Sequence, residues 1–516
     1  RPAVTLSGAF LHKMEFLAYA GAATSPTILA IAVAGLIIGI VLGALPGLSS
    51  TFSCAVMLPV SFSMDPTTGL IFLGTVYMGS TYGGSFAAIL VGTPGTPQSI
   101  TTTFDGFPMA KRGDGGLALS IACISSVFGG IFGIIVFLWL APPMAKFALL
   151  FGPAEYFWLA LFGLTIIASL SEGNLIKGLV SGFLGLALSQ IGVSVVSGDM
   201  RFTYENTALI GGIPIIPATI GLLCMPVAID LIANVTHHLE APMHARSTRF
   251  KESVAAIWAR KLNLLRSSVI GTVIGIIPAA GGAIASLVAY AEASRAAKPD
   301  DRYGEGDPGG VIASETANNA TVGSGLIPTF VLGIPGTPTD AVILGAMMVH
   351  GVQIGPRMFS EHIDIVYTFV GGMLLATVLM LPIGLLLGRY IYMAVVKMPK
   401  TYLVPMVTLM LLIGAFAIQN SYDDIVIMFC LGVLAWAIGR FGYPAAPVVL
   451  GLLLGPIAEQ GYAQALMIGR AKQDVGGIFF GSTVSMVLIS CIVASIFLPP
   501  LLRKISTLQT KGMRNV

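Results

Sequence analysis

Apolar stretches of about 20 residues recur along the whole chain, and they constrain its fold more than any other feature. A helix rises about 1.5 Å per residue, so about 20 residues span the roughly 30 Å of hydrocarbon in a bilayer. The clearest stretches are 26–45, 117–140, 154–170, 175–196, 208–233, 267–289, 363–387, 402–418, 425–438 and 478–501. Others, such as 67–91 and 322–332, are interrupted by glycines and prolines. The pattern predicts an all-α polytopic membrane protein with about 10–14 membrane segments.

The composition agrees with a chain whose solvent is a bilayer. Charged residues make up 10% of the 516 residues and hydrophobic residues make up 55%, whereas a soluble domain contains about 25% charged residues. This composition excludes a disordered or secreted protein, and the net charge of +3 gives no basic surface for binding nucleic acid. The five cysteines stand singly in apolar runs, with no Cys-x-x-Cys pair, and are typical of small buried hydrophobic residues.

Two motifs occur twice in the same order, which indicates internal duplication. The first is Gly39-Ile-Val-Leu-Gly-Ala-Leu-Pro46, and it returns 232 positions later as Gly271-Thr-Val-Ile-Gly-Ile-Ile-Pro278. The second is Gly92-Thr-Pro-Gly-Thr-Pro97, and it returns 241 positions later as Gly333-Ile-Pro-Gly-Thr-Pro338. We therefore predict two homologous halves, 1–234 and 267–516, with a basic connector at 235–266. By the positive-inside rule the connector and the basic C-terminal tail face the cytoplasm.

The Gly-x-Pro-Gly-Thr-Pro motifs predict helix breaks at membrane depth, where irregular backbone is tolerated only inside protein or beside a water-filled cavity. Thr96 and Thr337 are favourable N-cap residues, and the proline after each suits the first helical position. The N–H groups at such a helix start suit a carboxylate. Paired breaks in two halves favour a transporter's binding site, and the alternative is an ordinary surface turn.

Asp340 falls three residues after the second N-cap, where the first motif has Ser99. A helix-capping role explains an acid there, and ligation of a coupling cation is the alternative. An ionised Asp340 would repel an anionic substrate, so we assign the substrate to Thr96, Gln98 and Thr337.

Glu315, Asn318 and Asn319 are spaced to share one helical face that enters an apolar stretch. Such polar groups are costly in a membrane and indicate a functional site. An interhelical hydrogen-bond clamp is the alternative interpretation. Gly35, Gly39 and Gly43, at a spacing of four, predict close helix packing.

Several catalytic motifs are missing from the sequence. It has no Gly-x4-Gly-Lys-Ser/Thr, no His-Glu-x-x-His and no Gly-x-Ser-x-Gly. Uphill work by this chain would therefore draw on an ion gradient or a partner, and we expect no enzymatic activity. A passive anion channel is the alternative to a carrier.

The chain resembles the large membrane subunit of the tripartite tricarboxylate transporter family along nearly its whole length. The runs that carry the resemblance are Gly43–Ser50, Met64–Pro66, Tyr82–Gly84, Gly92–Pro97, Asp105–Ala110, Ala313–Ala320 and Gly333–Pro338. The sequence departs from the family pattern at Pro278-Ala-Ala280, where Pro-Gly-Ala is commoner.

The resemblance implies a secondary transporter of the bacterial inner membrane, driven by sodium or protons and without any other cofactor. It imports organic carboxylates, such as citrate, smaller dicarboxylates or aromatic carboxylates, delivered by a periplasmic solute-binding protein. A small membrane subunit of about four helices is its other partner. We expect inverted repeats, although the spacing itself indicates only duplication, and an elevator-like movement by analogy with other gradient-driven carboxylate carriers.

The candidate residues fall into three groups. The substrate-binding candidates are Ser49, Ser50, Thr93, Gly95, Thr96, Gln98, Gly336, Thr337 and Thr339. The cation-binding candidates are Ser80, Thr81, Asn318, Asn319 and Asp340. The structural or gating candidates are Gly43, Pro46, Gly47, Pro94, Pro97, Glu315, Pro335 and Pro338.

Overall fold

The structure is a computed structural model of the chain. It describes residues 16, 19, 21, 23–45, 47–170, 175–194, 196–233, 249–278, 280–352, 354–386, 388, 390, 393, 400–416 and 420–496. Most of these residues are helical.

The described helices follow one another in this order: α1 (Pro26–Gly43), α2 (Ser50–Ser61), α3 (Pro66–Leu90), α4 (Thr102–Lys111), α5 (Gly115–Ala148), α6 (Pro153–Leu170), α7 (Leu175–Ser189), α8 (Ile215–Ala233), α9 (Phe250–Ala259) and α10 (Lys261–Ile276). They continue with α11 (Gly281–Arg295), α12 (Pro308–Leu332), α13 (Pro338–Val349), α14 (Met358–Glu361), α15 (Ile363–Leu386), α16 (Lys400–Phe416), α17 (Tyr422–Arg440), α18 (Ala445–Ala471), α19 (Val475–Phe480) and α20 (Thr483–Ile496). Two 3-10 helices, Pro97–Ser99 and Thr207–Leu209, and two antiparallel strands, β1 (Gly192–Val193) and β2 (Met200–Arg201), complete the described elements.

Five of the described helices are long and apolar enough to cross a membrane, namely α1, α5, α8, α15 and α17. Shorter apolar helices of 10–17 residues accompany them. The prediction of an all-α polytopic membrane protein is therefore confirmed, apart from the small β1–β2 pair.

The chain forms two compact units. The first contains the described parts of residues 1–146 and 227–421, and the second those of 147–226 and 422–516. Both candidate helix breaks, and every candidate residue that the structure describes, belong to the first unit. The homology of the two halves of the sequence stays a prediction.

Two helices of 25 residues, α3 and α12, run through the centre of the first unit and are almost wholly buried. Each begins with an aspartate N-cap and a proline at the first helical position. Asp65 accepts a hydrogen bond from the Thr68 N–H, and Asp307 accepts one from the Gly309 N–H. The cap satisfies an N–H that has no partner inside the helix, and the proline needs none, so the sequence fixes where both helices begin.

The predicted segment 267–289 is not continuous, and that expectation was wrong. Helix α10 ends at Ile276, and α11 begins at Gly281. Pro278 lacks an N–H group and disfavours helix at the residue before it, and Gly281 has a φ of +61° that suits glycine. In contrast, the glycines in 67–91 and 322–332 do not interrupt α3 or α12.

Glycines allow neighbouring helices of the first unit to touch backbone to backbone. A Cβ at Gly43 would lie 2.1 Å from the carbonyl oxygen of Ser80, which joins α1 to α3. A Cβ at Gly271 would lie 2.4 Å from the carbonyl oxygen of Ala317, which joins α10 to α12. Close packing by small residues is a usual means of helix association in membranes, and the prediction for Gly43 is confirmed.

The second unit is held together in a similar way. A Cβ at Gly185 in α7 would lie 2.1 Å from the carbonyl oxygen of Val448 in α18. Arg201, in β2, forms a 3.0 Å ion pair with Glu459 of α18. The Trp158 indole N–H donates a hydrogen bond of 2.9 Å to the Phe479 carbonyl.

Candidate functional site

Each Gly-x-Pro-Gly-Thr-Pro motif breaks the helical chain of the first unit, as predicted. The first break, residues 91–96, follows the end of α3, and the second break, residues 333–337, follows the end of α12. Gly92 has a φ of +76° and Gly333 a φ of +70°, in the left-handed region that commonly ends a helix. The proline five residues after each glycine then begins the next helical segment.

The second break is capped as predicted. Thr337 is the N-cap of α13, Pro338 occupies its first position, and the Thr337 hydroxyl accepts a hydrogen bond of 3.1 Å from the Asp340 N–H. Asp340 is therefore the third residue of α13 and is fully buried.

The first break leads into a different structure. Thr96 and Pro97 begin the 3-10 helix Pro97–Ser99, and α4 starts only at Thr102. The Thr96 N–H donates to the Ser99 hydroxyl at 3.3 Å. Thr96 and Ser99 lie in a capping-box arrangement at this helix start, and the Thr96 hydroxyl is buried.

Each break contacts helices of the other half of the sequence. After the first break, the Gln98 carbonyl accepts a hydrogen bond of 3.2 Å from the Ser286 hydroxyl of α11. At the second break, the Thr337 and Tyr77 hydroxyls lie 3.4 Å apart. These contacts bring residues from both motifs into one region of the first unit.

The first turn of α11 lies beside both breaks. A Cβ at Gly282 would stand 3.0 Å from Gln98 Cγ and 2.5 Å from Asn318 Oδ1. A Cβ at Gly281 would stand 3.5 Å from Thr337 Cγ2. Two glycines therefore allow the backbone at this helix start to approach side chains of both breaks and of α12.

Asn318 and Asp340 are the main polar side chains without partners in this region. Asn318 is 1% exposed, and neither atom of its amide group makes a hydrogen bond with a described residue. Asp340 is 0% exposed, and its carboxylate oxygens likewise accept no hydrogen bond of regular geometry within the described chain. The Thr337 and Tyr77 hydroxyls lie beside this carboxyl group. Burying polar groups without partners is costly, so these positions suit a bound ligand.

Asp340 lies in a narrow place between two backbone segments. Its Oδ2 would be 3.1 Å from a Cβ at Gly325 and equally 3.1 Å from a Cβ at Gly336. Thr339, next to it, has its hydroxyl 2.9 Å from that of Thr51 in α2. The carboxyl group thus lies beside the Tyr77 and Thr337 hydroxyls and against the backbone of α12 and of the second break.

Glu315 and the Asn319 amide nitrogen belong to one hydrogen-bond network on α12, whereas the Asn319 Oδ1 is buried with no partner among the described residues. Glu315 accepts hydrogen bonds from Thr102 at 2.5 Å and from Ser126 at 3.1 Å. The Asn319 amide donates to the Ser126 hydroxyl at 2.8 Å. This is the arrangement of the predicted interhelical clamp, and it separates Asn319 from its neighbour Asn318.

The remaining candidates either make hydrogen bonds within the first unit or differ in how far they are exposed. The Ser49 hydroxyl caps α2, and those of Ser50 and Thr81 lie 3.4 Å apart. The Ser80 hydroxyl donates to the Tyr77 carbonyl at 3.0 Å. Gly95 and Pro335 are buried, Pro94 and Pro338 half-buried, and Gly47, Thr93 and Pro97 exposed. Pro46, the connector residues 235–248 and the basic tail beyond residue 500 lie outside the described residues.

Asp105 is a functional candidate that sequence reasoning passed over, except as part of a family motif. Its Oδ1 accepts hydrogen bonds of 2.8 Å from the N–H groups of Gly304, Gly306 and Asp307, and Tyr290 donates to its Oδ2 at 2.9 Å. Burial raises the pKa of Asp105, and these donors oppose that rise. The carboxylate fastens the loop before α12 to α4, which follows the first break.

Gly281 and Gly282 are not among the candidates from the sequence, although the internal duplication points to them. The 232-residue offset places them opposite Ser49 and Ser50, which were candidates. Thr102 and Ser126 gave no such signal, because hydroxyl residues are common in these segments. Within the described residues, no cluster of three or more His, Cys, Asp or Glu side chains could hold a metal ion.

Known proteins with similar sequences identify the family of this chain. The model of the tripartite tricarboxylate transporter TctA family matches residues 29–450. An uncharacterized 52.8 kDa protein in the TAR-I ttuC' 3'region of Agrobacterium vitis is 30% identical over 449 residues, covering 86% of this chain and 87% of that protein.

A second uncharacterized protein, in the TAR-II ttuC' 3'region of the same organism, is 30% identical over 206 residues, covering 40% of this chain and 84% of that protein. No solved structure matches the chain at a significant level. The family match spans both helix breaks, α11 and α12, which hold the site described above, and most of the chain around them. This chain therefore belongs to the tripartite tricarboxylate transporter TctA family.

Proposed function

We propose that this chain is the large membrane subunit of a binding-protein-dependent secondary carrier that imports organic carboxylates by cation symport. One observation carries the proposal. Gln98, just after the first break, and Thr337, in the second, lie beside the first turn of α11, where Asn318 is buried with no hydrogen-bond partner among the described residues. Paired broken helices that meet in this way are typical of secondary transporters.

A carboxylate is the ligand class that the region suits best. Residues 66–110 and 308–356, which contain both breaks, have no Lys or Arg. An anion there would be held by N–H groups at helix starts, by hydroxyls and by amides, as at other anion sites built without a cationic side chain. Among the proposed substrate residues Thr96, Gln98 and Thr337, Gln98 and Thr337 are the ones that contact the first turn of α11. Tricarboxylates, dicarboxylates and aromatic carboxylates all fit this chemistry.

Asp340 is our proposed site for the coupling cation, sodium or a proton. Its carboxyl group is fully buried beside the Tyr77 and Thr337 hydroxyls. Sodium takes oxygen ligands, and a carboxylate with nearby hydroxyl and carbonyl oxygens supplies them. Ser80, Thr81 and Asn319 make other hydrogen bonds, so we place the cation at Asp340.

The proposal includes two protein partners, which family membership supports. A periplasmic solute-binding protein would deliver the carboxylate, and a small membrane subunit of about four helices would complete the carrier. We place the chain in the bacterial inner membrane with its basic connector and C-terminus in the cytoplasm, following the positive-inside rule.

Transport would proceed by alternating access, and we favour an elevator-like movement. Both breaks, Asn318 and Asp340 belong to the first compact unit. A site carried within one body can be displaced across the membrane by movement of that body, without being rebuilt at each step.

Uptake into proteoliposomes tests the function. The chain would be reconstituted with its small subunit, supplied with its binding protein, and offered radiolabelled citrate, succinate and benzoate with and without an inward sodium or proton gradient. We expect accumulation above equilibrium for at least one carboxylate, and only with a gradient. Equilibration without a gradient would instead indicate a passive anion channel, and no flux of any carboxylate would overturn the proposed substrate class.

A further inference from the structure

We propose that the first turn of α11 is a carboxylate-binding subsite, in which Asn318 contacts the substrate rather than the coupling cation. The subsite, called here the α11 cradle, consists of Gly281, Gly282, Asn318 and Gln98. The inference rests on the proposed carboxylate import and names the place where one carboxylate group is held.

The helix start itself supplies the attraction for an anion. Helix α11 has 15 residues, and its N-cap, Ala280, has no oxygen-bearing side chain with which to cap the first turn. The first N–H groups of a helix have no partner within the helix, and they carry about half a positive charge. In the other half of the sequence, by contrast, the Ser49 hydroxyl caps the start of α2.

Asn318 provides the independent observation. The amide is 1% exposed, and neither of its polar atoms has a partner among the described residues. It points at the helix start, since its Oδ1 would lie 2.5 Å from a Cβ at Gly282. A half turn of the amide group exchanges oxygen for nitrogen, so the side chain can present two N–H donors to a carboxylate at this place.

Residues at or next to both breaks contribute to the cradle or contact it. Gln98 follows the first break, and its buried Oε1 has no hydrogen-bond partner in the described chain. Thr337, in the second break, is the neighbour of Gly281. A carboxylate in the cradle would therefore contact residues from both halves. A movement of either break would change its contacts with the protein.

The cradle also separates the substrate from Asp340. That carboxyl group packs against Gly325 and Gly336, whereas Asn318 packs against Gly282. Separate positions for an anion and a cation avoid the repulsion that an ionised Asp340 would exert on a carboxylate bound directly beside it.

The test measures uptake kinetics of two cradle variants in the proteoliposomes described above. Asn318→Asp places a negative charge of the same size in the cradle, and Gly282→Ala places a methyl group against the amide. For the carboxylate that the wild-type protein transports, we expect both variants to raise KM by at least about tenfold, equivalent to ~1.4 kcal/mol. The sodium or proton dependence of uptake should stay as in the wild type.

Two matched controls carry the same chemical changes elsewhere. Asn206→Asp adds the same charge at the N-cap of the 3-10 helix Thr207–Leu209. Gly439→Ala adds a methyl group in α17 at a position with no described atom within 4 Å of the new Cβ. Both should keep the wild-type KM.

The outcomes separate this inference from the proposed function. If the wild-type protein accumulates a carboxylate and both cradle variants keep its KM, the cradle is overturned while the function stands. A shift in sodium or proton dependence with unchanged KM would indicate that Asn318 binds the coupling cation, and it would also overturn the inference. If the wild-type protein moves none of the three carboxylates, the proposed function fails first. Since Gly282→Ala adds no charge, it keeps the test valid if Asn318→Asp does not fold.

Discussion

Thr102 donates a hydrogen bond of 2.5 Å to Glu315, and this contact joins the helix after the first break to the helix before the second. Both residues are buried, and the second carboxylate oxygen of Glu315 accepts from Ser126 of α5. One side chain thus ties three helices of the first unit together, with every oxygen of its carboxylate satisfied. Near Glu315 the helices are therefore tied together by hydrogen bonds, whereas the Asn318 amide has no partner among the described residues.

Removing the donors to Glu315 should destabilise the protein. We expect Ser126→Ala and Thr102→Val each to cost about 0.6–2 kcal/mol, because a buried carboxylate oxygen loses its donor. Thermal unfolding in detergent would show this as a lower Tm. Ser490→Ala, which removes an exposed hydroxyl bonded only within α20, is the control. Equal Tm values for all three variants would contradict the clamp.

Asp340 should govern ion coupling more than substrate binding. We expect Asp340→Asn to raise the sodium concentration for half-maximal uptake at least about tenfold, or to abolish gradient-driven accumulation, because a neutral amide binds a cation weakly. Asp364→Asn removes one exposed carboxylate from the first turn of α15 and serves as the control. If Asp340→Asn keeps the wild-type ion dependence, the residue is only a helix-capping acid, since an amide of equal size retains its packing.

The glycines between paired helices should not tolerate a methyl group. A Cβ at Gly43 or Gly271 would meet backbone carbonyl oxygens at 2.1 and 2.4 Å, and backbone cannot rotate away as a flexible side chain can. We expect Gly43→Ala and Gly271→Ala each to cost about 1–3 kcal/mol or more. Size-exclusion chromatography would report less monodisperse protein, whereas Gly439→Ala should elute as the wild type does.

Asp105 should control the order of the loop before α12. Asp105→Ala removes the acceptor for three backbone N–H groups, so hydrogen exchange at residues 304–307 should accelerate. Asp300→Ala, a change at an exposed aspartate of the same loop, should leave exchange there unchanged. Asp105→Asn keeps one acceptor oxygen and should fall between the two. Unchanged protection in Asp105→Ala would mean that the loop is held by other contacts.

Helix starts and helix breaks could be predicted from the sequence wherever a residue acts on the backbone next to it. Threonine followed by proline at the end of each Gly-x-Pro-Gly-Thr-Pro motif predicts both breaks and the N-cap of α13 without any tertiary information. The Gly43 packing contact followed from the spacing of small residues. The prediction of one continuous segment at 267–289 was wrong because it rested on apolar residues alone. Pro278 interrupts the helix although the stretch around it is apolar.

Partners distant in the chain could not be assigned in the same way. The membrane helices are apolar around most of their surface, so no periodic stripe shows which face meets which neighbour. That Asn318 faces Gly282, that Glu315 meets Thr102, and that Asp105 holds the loop before α12 are consequences of how the helices pack.

The sequence by itself determined that this is a membrane protein, which family motifs it carries and where its helices break at those motifs. These features depend on composition and on the backbone chemistry of adjacent residues. The tertiary structure alone decided which buried polar groups find partners. Whether an amide or a carboxylate is satisfied depends on atoms contributed by helices hundreds of residues apart, and only the packed chain brings those atoms within hydrogen-bonding distance.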